Sequence, residues 1–153
     1  MVQELIKQEK SLYDTDYNLW ILKTVEKLAK RDLDSLDWEN LIEEVLDLRE
    51  RKRRKMESLL MRLIEHLLKL GYWEVEREKN RGHWEGEIAN LRKLIRKELK
   101  ASPSLKRYLE EIFDESYQDA RDIACKRSRL PLNTFPQTPI TDLEQILDEN
   151  WLP

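Results

Sequence analysis

Little in this chain breaks a helix. Glycine occurs 3 times and proline 5 times in 153 residues. Four of the prolines lie at or beyond residue 131, so long segments upstream have no built-in helix breaker. Cysteine is also scarce. Cys125 stands alone and cannot form an internal disulfide, which points to a reducing, cytoplasmic setting. The 2 histidines are too few for a multi-histidine metal hydrolase, and His66 has no second ligand four residues away. No stretch nears the ~18 apolar residues of a membrane span, and the N-terminus lacks the basic-then-apolar pattern of a leader. Charge of one sign does not dominate either: 28 basic and 31 acidic residues leave a net −3. That balance supplies no global field for nucleic acid or a membrane surface.

What remains is rich in Leu, Glu, Lys and Arg, with 39% charged and 40% hydrophobic residues. The apolar positions recur with helical period, so the expectation is an all-α bundle rather than a disordered chain. Four main helices are read around one long central helix at about 37–70, with a short C-terminal helix, in a single domain over 1–153. Residues 1–12 are polar and expected to be loosely held. Helix one is predicted from about Asp16 to Arg31, capped by Asp14 or Asp16, with Tyr17, Trp20, Ile21, Thr24, Val25 and Leu28 facing inward. The short link 32–36 makes it an antiparallel neighbour of the long helix. A polar connection follows over 72–82, then helix three over about 83–100 with Trp84, Ile88, Leu91, Ile95 and Leu99 on one face. Ser102-Pro103 restarts the chain into helix four, which runs to about Ser128 and forms a hairpin with helix three. Prolines then hold 129–153 extended, apart from a short helix opened by Thr141-Asp142-Leu143-Glu144.

The long helix carries the sharpest pattern. Trp38, Leu41, Ile42, Val45 and Leu46 share one side with Met56, Leu59, Leu60, Leu63, Ile64 and Leu67. Between the two sets every residue from Arg49 to Lys55 is basic except Glu50. Arg49, Lys52 and Arg53 continue the apolar stripe in phase. Three arrangements account for this. The helix is continuous, with helix one covering its first half, helices three and four its second, and the basic stretch between them; long Lys and Arg stems can lie over apolar surface while their charges reach water. Or it kinks near 49–53, although no Pro, Gly or inserted group is at hand. Or the basic stretch meets acids of a second copy in an antiparallel dimer. The first is favoured, and the third is compatible with it.

Few residues suggest chemistry. Glu39, Glu43, Asp47 and Glu50 share a face opposite the stripe, and such carboxylates can hold Mg²⁺ or Ca²⁺. Glu43-Glu44-Val45-Leu46-Asp47 is similar to the EExxD/E element of helical nucleotide pyrophosphatases. Such enzymes need a second acidic pair nearby, and Glu111-Ile112-Phe113-Asp114 lies far downstream. A solvated acidic face at a helix N-terminus explains the same residues. The basic run could track phosphates, with Trp73 and Trp84 as stacking platforms, yet a salt-bridged surface explains it as well. His66 reads as a partly buried, hydrogen-bonded ring. Cys125 lies late in a helix, where the dipole opposes a thiolate.

Four blocks together resemble a known family: Asp37-Trp38-Glu39-Asn40-Leu41-Ile42-Glu43-Glu44, then His66-Leu67-Leu68-Lys69 before an aromatic segment, then Ser102-Pro103-Ser104-Leu105, and finally Leu143-Glu144-Gln145-Ile146-Leu147-Asp148 before Trp151-Leu152-Pro153. Their order and spacing over about Leu12 to Pro153 resemble the bacterial, largely cyanobacterial family catalogued as domain of unknown function 29. The resemblance implies a small all-helical cytoplasmic protein and transfers no activity, substrate or catalytic residue. His83 stands where members of that family often have Ser, which speaks against a shared role for its ring. The expected function is a protein-interaction or self-association module that needs no cofactor, its partner a protein or a second copy. Arg49, Lys52, Arg53, His66 and Trp84 are the candidate binding residues. A metal-dependent nucleotide enzyme using Glu39, Glu43 and Asp47 is the first alternative, and nucleic-acid binding through 49–55 the second.

Overall fold

The computed structural model describes the backbone of residues 1–153 and every side chain except those of residues 9–11. Six α-helices follow in order: α1 (Val2–Thr15), α2 (Tyr17–Ala29), α3 (Trp38–Tyr72), α4 (Glu74–Ala101), α5 (Leu105–Ser128) and α6 (Leu143–Leu147), with a 3₁₀ turn at Leu132–Thr134. Among the described residues there is no strand, and no helix is long and apolar enough to cross a membrane. The fold is all-α, as expected, and α3 is unbroken through 49–55 over roughly 50 Å. Two compact units divide the chain, residues 1–51 and 52–153, and the boundary falls inside the basic run.

The first unit is built on caps. Asp16 ends α1 by donating its N–H to the Leu12 carbonyl, and its side chain accepts from Leu19 N–H at 3.0 Å to start α2. The segment before α2 is helical, with Ile6, Leu12 and Tyr13 partly buried on α1. Arg31 takes a left-handed φ of 60° at the end of α2, and Asp32 N–H reaches back to the Lys27 carbonyl. Asp37 opens α3, its carboxylate accepting from the Asn40 side chain at 2.6 Å. Tyr17 at the start of α2 bonds Glu44, and Lys27 near its end bonds the Ser35 carbonyl, so α2 and α3 run antiparallel.

The second unit holds a much larger core. The C-terminal half of α3 supplies Met56, Leu59, Leu60, Leu63, Ile64 and Leu67, each at most 5% exposed. Ile88, Leu91 and Ile95 of α4, Leu109, Tyr117 and Ala120 of α5, and Phe135 and Ile146 of the tail close around them. α4 begins nine residues earlier than the sequence suggests. Glu74 and Glu76 favour the positive end of the helix, and the first turns expose their polar side chains. Arg77 then caps α3 by donating to the Leu70 and Gly71 carbonyls at 2.7 and 2.6 Å. The tail lies on the helices: Arg121 donates to the Phe135 and Leu132 carbonyls, Tyr117 to Pro136, and buried Arg92 to Ile146. α6 opens on Asp142, whose carboxylate accepts from Gln145 N–H at 2.9 Å.

Candidate functional site

Within the first unit the apolar stripe of α3 is not covered as the sequence suggests. α2 meets α3 at Glu44, which bonds Tyr17, and Leu41 beside it is half-buried, whereas Leu48 keeps 59% of its surface. Trp38, Ile42, Val45 and Leu46 keep 47%, 55%, 58% and 55% of their surface. Trp20 and Leu36 are the buried hydrophobic residues among those described in this unit. Beside the stripe, Ile21 and Val25 of α2 and Val45 and Leu48 of α3 line an apolar groove of about 310 Å³, with Glu44 and Arg51 among its polar residues. Glu44 ties the helices together. Its carboxylate accepts from Tyr13 at 2.6 Å and from Tyr17 at 2.5 Å. Those bonds favour the protonated phenols and push Tyr13 up to about 12. Tyr13, Tyr17 and Trp20 form one aromatic cluster, with ring centroids 4.9–5.9 Å apart.

The basic run is divided between two fates. Arg49 is exposed, its guanidinium 3.9 Å from Glu50. Arg51 pairs with Asp47 at 2.8 Å. Lys52 and Lys55 both donate to the Glu98 carboxylate, at 2.9 and 2.5 Å. These two ammonium groups hold Glu98, which is 8% exposed, below the ordinary carboxylate value. Arg53 lies over the Tyr108 ring at 4.6 Å. Lys52, Arg51 and Arg53 thus have acidic or aromatic company within their own units.

His66 and Trp84 enter the core of the second unit. The His66 ring is 7% exposed, with Nδ1 2.8 Å from the Arg62 carbonyl. Burial lowers its pKa, and the nearby Lys69 ammonium adds to the lowering. Trp84 stacks on Trp73 at 5.6 Å, so neither ring presents an open face on that side, and Lys69 lies over Trp84. Lys69 is buried too. Its ammonium is 3.5 Å from Glu65, which also accepts from Arg127 at 2.8 Å, and burial lowers the Lys69 pKa. This buried ion cluster was not legible in the sequence, where Glu65 and Lys69 sit beside an unbroken leucine pattern.

The carboxylates do not converge. Glu39 and Glu43 are exposed, and Asp47 is engaged with Arg51. Among the described residues no group of three or more His, Cys, Asp or Glu is placed to hold a metal ion. Glu111 and Asp114 lie on α5, in the other unit. Cys125 is half-buried, its thiol 3.1 Å from the Leu130 carbonyl.

No curated protein and no solved structure matches the chain. The family model described as domain of unknown function DUF29 matches residues 12–152, and the chain belongs to that family.

Proposed function

We propose that this chain is a non-catalytic protein-docking module whose working surface is the apolar face of α2 and the first half of α3. One observation carries the reading. Along a single helix, equivalent apolar positions are at most 5% exposed in the second half and about half exposed in the first. Trp38, Ile42, Val45 and Leu46 form a contiguous patch of the kind that marks interaction surfaces. The remaining chemistry supports it, because the acids and bases that would have to act on a substrate are largely engaged with one another.

The variant I42E/V45E/L46E tests the reading. These positions are already in water, so the folded chain keeps its helicity and its urea midpoint stays within ~1 kcal/mol of wild type. In lysate of the cells that make it, the wild-type chain elutes in a complex and the variant elutes at the monomer position. An unchanged elution profile, or a variant that unfolds, would falsify the reading.

A further inference from the structure

We propose that a cleft between α4 and the tail of the second unit binds a small carboxylate with an apolar body, held by Arg92. The cleft measures about 260 Å³, and Arg92 is one of its lining residues. Arg92 is 3% exposed. A guanidinium carries five N–H donors. Nε–H donates to the Ile146 carbonyl at 2.8 Å, whereas Nη2 is buried and has no hydrogen-bond partner. An unmet donor on a buried cation is costly, so it marks a place for an acceptor. Nearby carboxylates do not supply one. Burial lowers the Arg92 pKa, and Asp148 and Glu149, which favour the charge, do not outweigh it.

The two acids that line the cleft are committed to other bases. Glu85 accepts from Arg81 at 2.8 Å, and Glu149 accepts from Arg96. Lys93, exposed and next in sequence to Arg92, adds a second positive charge to the lining. The site therefore favours an anion. A carboxylate suits a guanidinium, whose donors form a planar fork. Ile88, Ala89 and Leu152 supply the apolar part of the lining. A hydrocarbon body covers these side chains, and a bare phosphate leaves them in water. The volume lies below the usual range for drug-sized ligands, so the ligand is small. Every residue of the site belongs to the second unit, and the proposal does not depend on the docking face of the first.

Amide NMR titration of the full chain with hexanoate tests the proposal, with hexylamine and inorganic phosphate as probes of charge and shape. Hexanoate shifts the amides of residues 85–93 and 146–152 saturably, with a Kd of about 1–10 mM. Hexylamine leaves them in place, and phosphate binds about tenfold more weakly than hexanoate. Ala89→Trp starts from an exposed position and fills the cleft, so it abolishes the shifts while the urea midpoint stays at the wild-type value. Lys93→Glu, also exposed, weakens hexanoate about tenfold. Arg92→Met removes the guanidinium and the binding; because Arg92 also holds the tail, the two exposed variants decide the matter if Arg92→Met does not fold. No saturable shift at these residues, or hexanoate binding that survives Ala89→Trp, overturns the site. Phosphate or hexylamine binding as tightly as hexanoate overturns the ligand class.

Discussion

His66 carries the clearest pH signature of any single residue. Burial holds its ring below the ordinary 6.5, outweighing the Arg62 carbonyl, which favours the protonated form. As pH falls through 6.5 the unfolded chain takes up the proton first, so stability declines with acid down to the folded value and then levels off. Glu98, held below 4.5, loses its contribution in a more acidic window and leaves this one distinct. His66→Gln is expected to flatten the dependence of the urea midpoint between about pH 5 and 7. Equal slopes for both proteins would mean that the ring does not titrate against folding. At the same scale, glycine misleads about helix ends. Gly71 reads as a terminator but lies within the last turn of α3, where a Cβ would sit 3.2 Å from Pro153. Its use is close approach. The left-handed ends belong instead to Arg31 and Arg129, at φ 60° and 58°, positions that composition does not flag.

Among the elements, α3 was legible because its start, its freedom from Pro and its periodicity all agree. α4 was legible only from Trp84 onward. Its first turns are polar and carry Gly82, which together read as a connection, yet helical geometry there is satisfied by exposed polar side chains and the Arg77 cap. Gly82 and Gly86 are exposed inside this helix, and a Cβ added at either meets nothing within 4 Å. Gly82→Ala and Gly86→Ala should therefore each stabilise the protein by about 0.5–1 kcal/mol, read from urea midpoints. A loss of stability would show that the residues need a backbone freedom which the helix does not use. The basic run belongs to this scale too. Asp47 is a local partner, one helical turn from Arg51, but Glu98 and Tyr108 lie 43 to 55 residues from the side chains they meet, and no local pattern links them to it.

For the molecule as a whole, the all-α class and the order of its elements were readable because so few residues interrupt a helix. The allocation of apolar surface was not. Periodicity marks which side of α3 is apolar; it does not say what covers that side, and in the first unit Ile42, Val45, Leu46 and Leu48 all stay more than half exposed beside α2. Two compact units therefore differ in kind: one closes a large core, while the other buries Trp20 and Leu36 and leaves an apolar face in water. The account stands or falls on whether that face meets a protein. The direct measurement places a photo-crosslinking side chain at Val45 in the cells that make the protein, with Glu110 on the exposed side of α5 as the control position. The account predicts a discrete protein adduct from position 45 and none from position 110. No adduct from Val45, or equal adducts from both positions, would contradict it.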